Sequence, residues 1–124
     1  MAIKGLAHIG VMVTDLPRSV AFYQKTFAAQ VLEQYDKPHV AIALLDVAGV
    51  PIELLQFKNA APRPAGVVDH VSLLADDVRA EVTRLQSLGV TFEPDSPREV
   101  LDGCVAAFFS GPDGERIELF QPRQ

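Results

Sequence analysis

Two hydrophobic patterns alternate along the chain, and the alternation happens twice. Leu6-Ala-His8-Ile-Gly-Val-Met-Val13 reads as a short apolar strand, after which Val20, Tyr23 and Phe27 recur at helical spacing over residues 18–27. Thr14 or Asp15 can cap that helix, and Pro17 suits a first turn where its missing N–H costs nothing. The second half repeats the order. Residues 67–74 form an apolar strand bearing His70, Asp76 and Asp77 offer caps, and Val78, Val82, Leu85 and Leu88 line one helix face that Gly89 closes. Three strand-like runs follow each helix, at 31–35, 40–46 and 52–57, and again at 90–92, 105–110 and 116–120. Ala48-Gly49 and Gly111-Pro-Asp-Gly114 mark the turns before the closing strands. Each half therefore reads βαβββ. The fold class is α+β, built of two such βαβββ modules. Residues 59–66, with two prolines and a terminal glycine, have linker composition, placing module 1 at about 1–58 and module 2 at about 67–124 of a single 124-residue domain.

The closing strands, Pro51-Ile-Glu53-Leu-Leu-Gln-Phe57 and Arg116-Ile-Glu118-Leu-Phe-Gln121, are nearly the same phrase. Strand alternation puts His8 with Gly10 and Met12, His70 with Ser72 and Leu74, Glu53 with Leu55 and Phe57, and Glu118 with Phe120. A carboxylate among such neighbours is predicted to be buried on at least one face and needs a partner. A lone His or Glu is more often structural, the Glu pairing with a cation such as Arg116 or Lys58. The repetition points instead to a pseudo-twofold site in which His8, Glu53, His70 and Glu118 hold one divalent metal ion. Zn, Ni, Co, Mn and Fe(II) all suit such donors. His39 has no counterpart in the second half and is expected at the surface or in a pocket wall. Met12, Phe57, Phe108 and Phe120 are candidate apolar lining.

Composition narrows the partners. Apolar residues at 48% and charged residues at 22% are globular values, which exclude a disordered chain. The net charge of −5 and the lack of a Lys/Arg cluster disfavour nucleic acid and anionic membrane, leaving a small molecule. No apolar run approaches the roughly 20 residues needed to span a bilayer, and the first residues lack a signal-peptide core, so a cytoplasmic location is expected. The single cysteine, Cys104, cannot form an internal disulfide and reads as a small buried hydrophobe.

Residues 8–23, His70-Val-Ser-Leu-Leu with the acidic cap and helix after it, and Gly111-Pro-Asp-Gly-Glu-Arg-Ile-Glu-Leu-Phe120 together resemble the vicinal oxygen chelate superfamily. This group holds glyoxalase I, methylmalonyl-CoA epimerase, extradiol dioxygenases, and fosfomycin and bleomycin resistance proteins. The resemblance implies paired modules cupped around a metal held by His8, Glu53, His70 and Glu118, and a homodimer. Glu53 stands where methylmalonyl-CoA epimerases usually carry glutamine, which favours a glyoxalase I-like lyase (lactoylglutathione lyase). Such an enzyme moves a proton through an enediolate on a hemithioacetal, with Glu53 or Glu118 as base. The epimerase and a non-enzymatic binding protein of the same fold are the alternatives. Arg18, Lys37, Arg63 and Arg98 are scattered cations for a thiol cosubstrate's carboxylates.

Overall fold

The computed structural model describes residues 7–59, 61, 66, 68, 70–101 and 103–124. The chain divides into two compact units, Met1–Pro64 and Ala65–Gln124. Unit 1 runs β1 (Ile9–Met12), α1 (Leu16–Phe27), β2 (Gln30–Asp36), β3 (Val40–Val47) and β4 (Val50–Phe57). Unit 2 runs β5 (Val71–Leu74), α2 (Val78–Ser87), β6 (Arg98–Val100), β7 (Cys104–Ser110) and β8 (Arg116–Gln121). Each unit is a four-stranded mixed sheet. The orders are β1-β4-β3-β2 and β5-β8-β7-β6, with the first strand parallel to the last and the other pairs antiparallel.

The two helices begin alike. Asp15 accepts from the Arg18 amide and Asp77 from the Ala80 amide, both at 3.1 Å, which satisfies one of the orphan donors at each helix start. A second orphan is met from the sheet: the Gln56 side-chain oxygen accepts from the Leu16 amide at 2.7 Å, and Gln121 does the same for Val78 at 2.9 Å. The closing strand of each unit is thereby tied to its own helix. The apolar face of α1 is rotated from the one expected, since Ser19, Tyr23 and Thr26 are buried while Val20 and Phe27 are half-buried. Small hydroxyl side chains can face the sheet here because the Thr26 hydroxyl donates to the Phe22 carbonyl at 2.6 Å.

In unit 1, α1 packs on β3 and β4, whose buried residues Ala43, Leu45, Val47, Ile52 and Leu54 share one face. Each fully buried aliphatic side chain there contributes about 1.5–3 kcal/mol. In unit 2, α2 packs on β7 and β8, with Val78, Val82 and Leu85 buried as the helical spacing predicts. The β3–β4 reversal is a two-residue turn in which Ala48 and Gly49 both have positive φ, 52° and 84°. That geometry matches the right-handed twist of a hairpin.

One strand falls elsewhere than expected. Residues 90–92 do not form a strand; Phe92 makes an isolated bridge to Phe109, and the outer strand is β6. The Val90 amide is used to bond the Leu85 carbonyl at the helix end, and Pro97 has no amide to donate, so the ladder resumes only at Arg98. Leu6, Val67 and most of the expected linker lie outside the described residues.

Candidate metal-binding pairs

The parallel register places each histidine beside its glutamate. Gly10 is aligned with Glu53, so His8, two residues earlier, shares its face, and Leu44 of β3 stands on the other side. Ser72 is aligned with Glu118 in the same way, with His70 two residues earlier and Phe108 of β7 opposite. His8 Nε2 lies 3.6 Å from Glu53 Oε1, and His70 Nε2 lies 3.3 Å from Glu118 Oε1. The glutamates are the more sheltered partners, 23% and 12% exposed against 41% and 33% for the histidines. Burial of the two carboxylates is thus partial, as strand neighbours on one face would give.

These separations sit beyond the usual N–H···O range of about 2.7–3.2 Å. With bonds of about 2.1 Å, neighbouring donors on one ion stand roughly 3.0 Å apart in an octahedron and roughly 3.4 Å apart in a tetrahedron, so the His70–Glu118 pair falls within that range and the His8–Glu53 pair just beyond it. Neutral imidazole and carboxylate are also chemically suited to a divalent transition metal. Each His–Glu pair therefore offers two donors whose chemistry suits such an ion. Among the described residues, no group of three or more His, Cys, Asp or Glu side chains is gathered that could hold a metal ion.

The cations suggested as structural partners are engaged elsewhere. Arg116 forms a two-pronged bond to Glu93, both contacts at 2.9 Å, and Lys58 pairs with Asp36 and donates to the Lys37 carbonyl at 2.6 Å. Around Glu118, Phe108 is the centre of a cluster. The His70 ring meets it edge-on at 5.5 Å, the Arg116 guanidinium lies 4.0 Å from its centre and that of Arg98 lies 5.4 Å away. Around Glu53 the neighbours are aliphatic, Leu44 and Leu55, both half-buried. Farther out on β2, the Tyr35 hydroxyl donates to Glu33 at 3.0 Å, and that bond, then the carboxylate's charge, raises its pKa from the ordinary value.

The remaining candidates are scattered. His39 is exposed and Cys104 is buried, both as expected. Arg18 donates to the Thr14 hydroxyl at 3.0 Å, Lys37 lies over the exposed Tyr35 ring, and Arg63 is outside the described residues. Of the four apolar candidates, Phe108 is buried, Met12 and Phe120 are half-buried and Phe57 is exposed. An open groove of about 700 Å³ in unit 1, between α1, the edge strand β2 and the start of β3, contains neither Met12, Phe57 nor Glu53. Sequence reasoning missed Glu93 and the paired glutamines. The glutamines left a signal, the same three-residue offset after Glu53 and Glu118; Glu93 left none, being 23 residues from Arg116.

A family model of the Glyoxalase/Bleomycin resistance protein/Dioxygenase superfamily matches residues 5–119. The chain belongs to this superfamily. The two mixed sheets agree with the fold of its members. The uncharacterized protein YwbC of Bacillus subtilis is 30% identical over 95% of this chain and 98% of its own length. Lactoylglutathione lyase of Salmonella typhimurium is 26% identical, covering 95% of this chain and 93% of that protein. Among solved structures, the antibiotic-binding protein TnmS3 of Streptomyces superposes with a TM-score of 0.79 at 30% identity over 98% of both chains. The fosfomycin resistance protein FosX of Listeria monocytogenes, complexed with Mn(II) and sulfate, shares the fold at a TM-score of 0.76 and 22% identity over 97% of this chain and 93% of its own. The superfamily thus includes enzymes and binders of small molecules. Among the described residues, no helix is long and apolar enough to cross a membrane.

Proposed function

We propose that this member of the superfamily is a metal-dependent proton-transfer enzyme of the glyoxalase I kind, with His8, Glu53, His70 and Glu118 as the ligands of one divalent ion per chain. The observation that carries the reading is the recurrence of a His–Glu pair at the same register position in each unit, at 3.6 and 3.3 Å. The 26% identical lactoylglutathione lyase supports it. When bound, the ion would supply Lewis acidity toward adjacent oxygens of an α-hydroxy carbonyl compound such as a hemithioacetal. His8 and His70 contribute neutral nitrogen donors. Glu53 or Glu118 takes the proton from the carbon that bears sulfur and hydroxyl and returns it to the neighbouring carbonyl carbon. The substrate is isomerised to a 2-hydroxy thioester with no net gain or loss of protons. The same reading expects a cytoplasmic homodimer.

Elemental analysis tests the ligand set. Protein stripped and reloaded with Ni, Co, Mn or Zn should carry one ion per chain, lost in His8→Ala and in His70→Ala; no bound metal under any loading overturns the proposal. Turnover of a methylglyoxal hemithioacetal by the loaded protein then tests the reaction, and turnover of acyl-CoA epimers alone would move it to the epimerase class. TnmS3 favours a second reading, a binding protein without turnover, because its identity to this chain is higher than that of the lyase. Saturable small-molecule binding with no turnover on any metal would select it.

A further inference from the structure

Phe108 is fixed through its backbone and its ring alike. On one flank it stands in register with Glu118 of β8. On the other, the segment before β6 takes the place of a strand: the Glu93 amide donates to the Phe108 carbonyl at 2.8 Å, and the Phe108 amide donates to the Ser96 hydroxyl at 3.0 Å. The Arg116 guanidinium lies 4.0 Å from the ring centre, and Glu93 of that same segment takes both prongs of it at 2.9 Å. The His70 ring stands nearly perpendicular to the Phe108 ring, with centres 5.5 Å apart and planes at 89°. One chain of contacts thus runs from Glu93 through Arg116 and Phe108 to His70, whose Nε2 lies 3.3 Å from Glu118. An arginine is attracted to a phenyl face by charge alone, but a two-pronged carboxylate also sets the plane and position of its guanidinium. Unit 1 has no such layer. Half-buried Leu44 stands opposite Glu53, and Pro51, two residues before that glutamate as Arg116 is before Glu118, has no cation to offer.

We propose that Glu93 and Arg116 are positioning residues, which lock the Phe108 ring and through it set the orientation of the His70 imidazole beside Glu118. The use of His70 as a ligand rests on the proposed function; the locking of its ring does not. The consequence is a difference in readiness between the two pairs. His70 is presented in one orientation before any ligand arrives, whereas His8, with aliphatic side chains around its glutamate, turns more freely.

The test begins with metal-free full-length protein carrying labelled histidine and phenylalanine rings. Nuclear Overhauser contacts between the His70 and Phe108 rings should be strong, with one set of His70 ring signals. In Arg116→Met, which keeps an unbranched stem on the ring, those contacts should fall severalfold while the His8 signals stay unchanged. Glu93→Gln, which keeps the shape and loses the charge, should give a smaller fall, and Arg116→Lys should recover part of what Arg116→Met loses. Arg84→Met, which breaks the ion pair to Glu81 on α2, should leave the His70 contacts as they are, separating the loss of this layer from the loss of any ion pair in the same unit. Competition with a chelator should then show Zn or Ni bound about tenfold more weakly by Arg116→Met, the usual cost of removing a group that orients a ligand. Unchanged His70 contacts in both Arg116→Met and Glu93→Gln overturn the positioning role, as does an equal change at His8, or weaker metal binding with the His70 contacts intact. If the unaltered protein takes up no metal, the proposed function fails while the ring measurement still decides whether Glu93 and Arg116 hold His70.

Discussion

The two units place a His–Glu pair at the same point of the same topology but surround it differently. In unit 1, β3 alternates buried and half-buried positions, and the face carrying Glu53 meets Leu44 and Leu55, both partly open. In unit 2, β7 is buried on both faces from Ala106 to Phe109, and the face carrying Glu118 is built around Phe108 with Arg98 and Arg116 upon it. The framework that carries the pairs is therefore duplicated while its surroundings differ. Symmetric positions hold the pairs, and the asymmetric positions around them differ in aromatic and charged character.

Substitutions at matched positions can break that comparison. The largest difference should come from the glutamates. Glu118→Gln should lower turnover by about 10²–10⁴-fold, and Glu53→Gln by less, because Glu118 is the more sheltered of the two. Unchanged turnover in Glu118→Gln on every metal would remove it as base. Next, Phe108→Ala should cost about 3–5 kcal/mol in denaturant unfolding, whereas Leu44→Ala, across from the other glutamate, should cost about 1–2 kcal/mol. Equal costs would mean that the two faces are packed alike after all. The helix caps sharpen the symmetric side: Asp15→Ala and Asp77→Ala should each lose about 1 kcal/mol, since both carboxylates accept the same bond at 3.1 Å. The smallest effect is expected at the hairpin peculiar to unit 1. Ala48→Asn should raise stability by about 0.5 kcal/mol, because asparagine tolerates positive φ better than alanine.

Much of this architecture could be read before any coordinates. Eight strands and two helices were expected, and seven of the strands are found near their expected places. The exception, β6, shows where local reasoning runs out: Arg-Glu-Val is short and charged, and only its pairing with residues 104–106 makes it a strand. The pairing of His8 with Glu53 and of His70 with Glu118 was legible because strand period and repetition are both local regularities. The buried face of α1 differs by one position from the one the spacing predicts: Ser19 and Thr26 are buried, and the Thr26 hydroxyl bonds the Phe22 carbonyl, which hydropathy does not register.

By itself the sequence determined the duplicated βαβββ order, the caps, the turns and the four residues of the two pairs, all of which depend on neighbours within a few positions or on likeness between the halves. Only the tertiary structure decided that Gln56 and Gln121 bond the helix starts, that Glu93 draws Arg116 across Phe108, and that Arg98 lies over the same ring. Those outcomes join residues 23 to 43 positions apart or on three different strands, where the contact is chosen by sheet register and by competition among charges.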